Sequence, residues 1–244
     1  MMTRIMLLFI RMFTRRERGK VTADPESGTA KTVEFVADDA GNVASAPDKT
    51  VEAPIPDPGV TIHVPAVDSV KKLYQDALAL VLKFEGGYVN DPDDPGGETN
   101  KGIIKTVYDK YRQQKNLPVR SVRDITEEEV GDIYAANYWD AGKCGQLPPR
   151  LAVVHFDSCV NVGVTQAAKF LQRSLGVKDD GKVGSDTLSA ARLADENKVV
   201  IVYLEKRRAF YRYLADSKPK LVKFLKGWLK RVDQLEDFVS HMNP

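Results

Sequence analysis

The sequence predicts a mainly α-helical protein, with a compact domain of about seven helices after an irregular amino-terminal arm. After residue 70, apolar residues recur at helical spacing, and no alternating run is typical of a strand. Residues 21–68 contain six prolines, nine acidic residues and few large apolar groups, as tethers do. With 244 residues, 43% of them hydrophobic, the chain is long enough for one core plus appendages.

The first 20 residues carry six Arg or Lys and one acid. Their apolar run ends at Arg11, far short of the about 20 residues that a membrane span needs. No small-residue cleavage site is clear, so we interpret residues 1–20 as a basic leader, with a weak membrane or export signal as the alternative. Residues 21–68 are predicted to be an acidic, proline-rich linker.

The first helix is predicted in "DSVKKLYQDALALVLKFEGG", from Asp68 to the glycine pair Gly86-Gly87. One face of this helix is apolar and contains Val70, Leu73, Ala77, Leu80, Val81 and Phe84. Because glycine ends helices, Glu85 is expected in the last helical turn.

Six more helices follow. "TEEEVGDIYAANYW" opens with a capping box, Thr126 with Glu129 three residues later. "LAVVHFDSCVNVG" is apolar nearly all round, which predicts a central buried helix. The others are "TQAAKFLQRSLG", "SDTLSAARLADEN", "NKVVIVYLEKRRAFYRYLADS" and "KPKLVKFLKGWLKRVDQLEDFV". Any β-structure is expected in turns near residues 86–103 and 179–184.

The two cysteines, Cys144 and Cys159, are too few for a disulfide scaffold or a four-ligand zinc site. Cys159 is expected to pack as a small apolar residue, with a single bridge to Cys144 as the alternative. Because the three histidines are scattered, no group has metal-ligand spacing, and we predict no metal and no cofactor.

The stretch "FEGGYVNDPDDPGGETNKGI" combines a glutamate, Glu85, with several aspartates on a sharply turning segment. A helix end and partial burial both disfavour the charged carboxylate, so the pKa of Glu85 should be raised. The aspartates lie on an exposed loop, where at least one should stay ionised. Two carboxylates whose pKa values differ are what glycoside cleavage uses, although such a stretch is also typical of a plain solvated turn.

The same stretch closely resembles the start of the glycoside hydrolase family 108 lysozymes, N-acetylmuramidases of phages and bacteria. "YWDAGKCGQLPPRLAVVHFDSCVNVG" resembles the middle of that family, and "AAKFLQRSLGVKDDGKVGSDTLSAA" resembles its predicted peptidoglycan-binding segment. The resemblance covers about residues 71–243. It implies a lysozyme-like helical domain, with a catalytic region at 69–163 and a peptidoglycan-binding region at 164–243 packed into the same domain.

The resemblance also implies hydrolysis of the β-1,4 bond between N-acetylmuramic acid and N-acetylglucosamine, with Glu85 as the general acid. Phage-type lysozymes of a different family pair such a glutamate with an aspartate nine residues later and a threonine beyond it. By that analogy Asp94 is the second carboxylate, with Asp91 as the alternative, and Thr99 orients a water. Glu98 is a departure, because similar lysozymes have alanine or proline there.

Three further residues are candidates for the substrate groove. Asp157 and Asn161 are four apart on the central helix and share a face, so they either line the floor of a sugar groove or pin the Glu85 loop. Tyr88 adjoins the glycine pair, where its ring either stacks on a sugar or packs in the core.

The expected partner is bacterial peptidoglycan, so we expect the protein to act on the cell wall, outside the cytoplasm. We expect a monomer that binds no nucleic acid, because the basic carboxy-terminal face lacks a recognised module. Residues 1–68 are candidates for weak membrane or virion association. A phage endolysin and a bacterial remodelling enzyme both fit. A lytic transglycosylase and a non-catalytic wall-binding or secretion-assisting protein are the alternative functions.

Overall fold

A computed structural model describes residues 67–90 and 97–242. The predictions for the leader, for the linker up to residue 66 and for Asp91 and Asp94 lie outside these residues. The described part is mainly α-helical, which confirms the predicted fold class. Its α-helices are α1 (Val67–Leu82), α2 (Lys105–Gln114), α3 (Glu127–Tyr134), α4 (Pro149–Val162), α5 (Val164–Leu175), α6 (Ser185–Leu193), α7 (Glu196–Ser217) and α8 (Val222–Ser240). None of these helices is long and apolar enough to cross a membrane.

Helix α2 is the element that the sequence did not predict. Its residues include the β-branched and aromatic side chains of "KTVYDKYRQQ", and no side chain caps its start at Ile104. Such residues have low intrinsic helix propensity, so local signals are weak. The helix is stabilised instead by tertiary packing, since the ring of Tyr108 is fully buried.

The expected β-structure is one short antiparallel hairpin, β1 (Thr99–Asn100) and β2 (Ile103–Ile104). The two residues of its turn, Lys101 and Gly102, have φ angles of 47° and 74°. Val89 and Thr99 exchange backbone hydrogen bonds of 2.8 and 2.9 Å, which adds a third short segment to the hairpin. This exchange joins the two ends of residues 90–98, the acidic stretch that contains Asp91 and Asp94, beside the hairpin.

Helix α4 is the centre of the core, as its all-round apolar sequence predicts. Every residue from 151 to 160 is buried. Helices α1, α5, α7 and α8 all pack against α4. The polar residues of α4 therefore lie in the core, where they need partners from the surrounding helices.

Two local departures bear on the site. The sequence predicted Glu85 in the last turn of α1. The helix ends at Leu82, so Glu85 lies just beyond it and that prediction is wrong. The segment predicted to continue α3 is a π-helix, Ala135–Asp140, which carries Tyr138. The capping box at Thr126 and Glu129 is confirmed by both of its hydrogen bonds.

Candidate active site

The backbone turn after α1 fixes the position of Glu85. The N–H groups of Lys83, Phe84 and Glu85 donate to carbonyls three residues earlier, at 3.0 to 3.2 Å. This tight winding continues the helix direction for one turn before the glycine pair lets the chain reverse. The Glu85 side chain is only 2% exposed. The sequence placed a carboxyl group here, and the turn directs it inward.

The hairpin turn closes over this carboxyl group. The Gly86 carbonyl accepts a hydrogen bond from the Lys101 N–H at 3.1 Å, which joins the turn to the segment after Glu85. A Cβ atom on Gly102 would lie 2.9 Å from Glu85 Oε2 and 2.5 Å from the Tyr134 hydroxyl. Only glycine fits at that position, since it also has a positive φ. The backbone of Gly102 therefore packs closely against the Glu85 carboxyl group.

An arginine from the carboxy-terminal helix contacts the same carboxyl group from the other side. Arg231 on α8 donates to Glu85 Oε1 through Nη1 at 3.4 Å, and its guanidinium lies 4.6 Å from the centre of the Phe84 ring. The remaining nitrogens of Arg231 bind Asp157, the shortest contact being 2.7 Å. The guanidinium thus bridges two carboxyl groups but binds Asp157 far more closely.

These contacts affect the two acids in opposite directions. Burial raises the pKa of Glu85 above its ordinary value, the charge of Arg231 opposes that rise, and the charge of Asp157 adds to it. Burial would also raise the pKa of Asp157, but Arg231 and Arg207 outweigh it and hold that pKa below its usual range. Glu85 therefore retains a proton to higher pH than an ordinary glutamate, while Asp157 stays ionised.

Asp157 is enclosed by its partners. Its side chain is 1% exposed, and Arg207 on α7 donates to it at 2.6 Å in addition to Arg231. Arg207 also donates to the Tyr211 hydroxyl at 2.9 Å, and Tyr211 in turn donates to Asn161. These contacts link α4 to α7 and α8, and Arg231 lies between Asp157 and Glu85.

Two tyrosines lie beside Glu85. Tyr134 at the end of α3 donates to the Lys101 carbonyl at 2.9 Å, which holds its hydroxyl next to Gly102. Tyr138 lies on the π-helix, with its ring centre 5.5 Å from that of Tyr134. Burial and the charge of Glu85 raise the pKa of Tyr138 to about 12. Both hydroxyls thus stay protonated beside the acid, and the proton of Tyr134 is used by the Lys101 carbonyl.

The other candidate residues lie at varied positions. Thr99 is half-buried on β1, at the base of the hairpin that covers Glu85. Tyr88 follows the glycine pair, and the guanidinium of Arg123 lies 4.4 Å from its ring centre. Asp91 and Asp94 are outside the described residues, so only the paired ends of their segment, at Val89 and Thr99, are placed.

The sequence interpretation missed Arg231, Arg207, Tyr134 and Gly102. The two arginines did leave a signal. Each lies on a buried helical face, and the face of α8 comprises Trp228, Arg231, Val232, Leu235 and Val239. A charge on an apolar stripe calls for a buried partner. Asp157, an acid on the buried helix α4, is the partner that these two arginines indicate.

Comparisons with known proteins identify two family models in the chain. The model described as Glycosyl hydrolase 108 matches residues 78–163, and the model described as Predicted Peptidoglycan domain matches residues 166–233. A solved structure of SagA from Brucella abortus is 31% identical, with a TM-score of 0.56. That match covers 69% of this chain and 94% of the SagA chain. No curated protein sequence matches.

Proposed function

Because the chain belongs to the glycosyl hydrolase 108 family and is a peptidoglycan-directed glycoside hydrolase, we propose that it cleaves the β-1,4 bond between N-acetylmuramic acid and N-acetylglucosamine. Glu85 is the proposed general acid. The observation that carries the proposal is the burial of this carboxyl group, which raises its pKa. Since the wall polymer lies outside the cytoplasm, the enzyme acts there.

In the proposed step, Glu85 protonates the glycosidic oxygen as the bond to the anomeric carbon breaks. An acid with an ordinary pKa would be ionised near neutral pH and unable to donate, so the raised pKa of Glu85 favours this role. Arg231 positions the carboxyl group from behind and limits how far its pKa rises. After donation, the same guanidinium stabilises the carboxylate that forms.

The second carboxylate comes from the acidic stretch in this proposal, Asp94 first and Asp91 second. The Val89–Thr99 pairing supports it, because it fixes both ends of that stretch beside the hairpin that covers Glu85. Thr99, on the same hairpin, orients the attacking water. Tyr88 contributes its ring to the sugar groove, with Arg123 against one face of the ring.

We further propose that residues 164–243 complete the catalytic domain and are not a separate binding module. Arg207 and Arg231 both lie in the segment that matches the peptidoglycan model, and both bind Asp157 in the segment that matches the hydrolase model. A chain truncated after residue 163 would lose both arginines that bind Asp157 and three of the helices that pack against α4, so we expect it not to fold stably.

The test is the substitution Glu85→Gln, measured as release of soluble fragments from purified sacculi. We expect a loss of roughly a hundred- to ten-thousand-fold in rate, the usual contribution of a general acid. Circular dichroism should show an unchanged helical fold. The matched control is Glu128→Gln, which removes an exposed carboxylate and should leave the rate unaltered. Full activity in the Glu85→Gln protein would refute the assignment.

A lytic transglycosylase is the second candidate, and one observation favours it. Among the described residues, the carboxylate whose charge acts on Glu85 is Asp157, and its two arginines enclose it. A transglycosylase needs one acid-base residue and no second free carboxylate. Mass spectrometry of the released fragments separates the two reactions, because hydrolysis leaves a reducing end and transglycosylation leaves an anhydro end. Asp94→Asn should abolish only the hydrolytic product.

A further inference from the structure

Three side chains that can ligate a metal converge in the core, next to the π-helix that carries Tyr138. Cys144 lies on a short 3₁₀ segment, Cys144–Gln146, and His155 and Cys159 lie four residues apart on α4. That spacing places His155 and Cys159 on one face of the helix. One ligand atom from each residue lies within 4.8 Å of the other two, and all three residues are fully buried.

The hydrogen bonds of His155 leave one of its buried ring nitrogens without a hydrogen-bond partner among the described residues. The Tyr203 hydroxyl donates its proton to the Ala167 carbonyl at 3.0 Å and lies 3.1 Å from His155 Nδ1. Because the hydroxyl proton is already used, Nδ1 must carry the proton of the neutral ring and donate it to Tyr203. Nε2 then has a bare lone pair, and it has no hydrogen-bond partner among the described residues.

We propose that Cys144, His155 and Cys159 form a buried binding site for a divalent transition metal of the zinc class. Thiolate and imidazole are the ligands that zinc prefers in proteins. Two thiolates and one neutral imidazole around a divalent cation give a complex with no net charge, which is what a dry core tolerates. The hydrogen bond that fixes the tautomer of His155 is the kind of support that metal-bound histidines receive.

A fourth potential donor lies beside these side chains. The Tyr138 carbonyl oxygen lies 3.9 Å from Cys144 Sγ. A Cβ atom on Gly142 would lie 2.8 Å from Cys159 Sγ, 2.8 Å from that carbonyl oxygen and 3.1 Å from Cys144 Sγ. The absence of a side chain at Gly142 therefore keeps three potential donor atoms from being pushed apart. Gly142→Ala should abolish metal binding.

The sequence did not predict this site, because Cys144 and His155 are too far apart to match a ligand motif. The fold brings them together when the segment after the π-helix packs against α4. Both cysteines are free thiols in the structure. A bound metal would hold the segment Cys144–Gln146 against the central helix α4. This segment follows the π-helix that carries Tyr138.

The test is titration of the reduced full-length protein with Co²⁺, a spectroscopic substitute for zinc. We expect one equivalent to bind and to give both a thiolate-to-cobalt charge-transfer band and the intense visible bands of tetrahedral cobalt, and we expect zinc to abolish both.

Cys144→Ser and Cys159→Ser should each weaken or remove the charge-transfer band. Tyr203→Phe, which removes the support of His155, should weaken affinity by roughly ten- to a hundredfold. The control, His241→Gln, changes an exposed histidine and should bind normally.

A second measurement uses the unmodified protein and does not depend on how the variants fold. Zinc should slow alkylation of both cysteines under conditions in which the protein remains native. The absence of a charge-transfer band in the reduced protein, with no protection from alkylation, would overturn the proposal. A Cys144–Cys159 disulfide in the purified protein, with no cobalt binding after reduction, would also overturn it and identify the two cysteines as a redox pair.

Discussion

Glu85 and Glu129 are two glutamates with mostly buried side chains, and their surroundings treat the carboxylate in opposite ways. The Glu129 carboxylate accepts hydrogen bonds from the Thr126 N–H at 3.0 Å, the Tyr108 hydroxyl at 2.7 Å and Arg120 at 2.9 Å, and it also pairs with Arg112. Burial on its own would raise the pKa of Glu129, but these donors outweigh it and lower the pKa to about 2. Among the described residues, Glu85 accepts one hydrogen bond, at 3.4 Å.

The difference shows what separates a structural carboxylate from a candidate acid in one protein. The number and distance of the donors decide the outcome, since both side chains are largely shielded from water. The four donors keep the Glu129 carboxylate ionised. Because Tyr108 and Arg112 lie on α2, the same contacts join α2 to α3. Glu85 shares Arg231 with Asp157, which accepts the shorter hydrogen bonds from the guanidinium. Burial therefore decides the direction in which the pKa of Glu85 moves. Four substitutions test this comparison.

Arg231→Met should have the largest effect. It removes one partner of a buried ion pair, which costs about 3 to 5 kcal/mol of unfolding free energy. Because the charge of Arg231 lowers the pKa of Glu85, its loss should raise that pKa further. The alkaline limb of the pH–activity profile, where the acid loses its proton, should move to higher pH. Urea unfolding and a pH–rate profile measure the two effects.

Arg208→Met is the control for that experiment. Arg208 lies one residue after Arg207 on α7 and pairs with Glu205, Asp233 and Glu236, so its removal also breaks an ion network. Some stability should be lost, but the alkaline limb should not move. If both variants shift the limb equally, Arg231 does not act on Glu85 specifically.

Glu129→Gln should cost roughly 3 kcal/mol at neutral pH, as expected for a pKa lowered from 4.5 to about 2. Because the folded-state pKa is depressed, the stabilisation is fully present above pH 4.5 and is lost as the pH falls towards 2. The variant and the wild type should therefore become closer in stability on acidification. Activity per folded molecule should be unchanged, and any large loss of activity would contradict a purely structural role.

Gly102→Ala should cost more than the about 1 to 2 kcal/mol that a positive φ imposes on alanine. The added methyl group would also meet the Glu85 carboxyl and the Tyr134 hydroxyl, so activity should fall. Gly176→Ala is the matched control, since Gly176 has a similar φ of 70° and no atom within 4 Å of the added group. Equal effects on activity would show that the close approach of Gly102 to the Glu85 carboxyl group does not matter for activity.

Glu85→Gln should have the smallest effect on stability and the opposite sign, a gain of about 1 kcal/mol at neutral pH. Since the folded-state pKa of Glu85 is raised, its contribution is fully present below pH 4.5 and is lost as the pH rises through the folded value. Glutamine carries no charge to bury, so it avoids that loss. Denaturation midpoints at pH 4 and pH 7 check the sign, and a variant less stable at pH 7 would contradict it.

Local patterns in the sequence were sufficient for much of the fold. The capping box at Thr126, the all-apolar α4 and the spacing of apolar residues along α1 each depend on neighbours within a few positions. Helix α2 was missed because packing, and not local propensity, stabilises it. The sequence also identified Glu85 as a candidate acid, because its position before a glycine pair follows from the order of residues alone.

What the tertiary structure decided was the set of partners for each charged or nucleophilic side chain. Arg231 meets Glu85 across 146 positions and Asp157 across 74, and Cys144 meets His155 only when a 3₁₀ segment packs on α4. Whether a buried carboxyl keeps its proton depends on the distances to such partners. Those distances are set by helix packing, so the sequence determined which groups enter the core, and the fold determined which of them are charged.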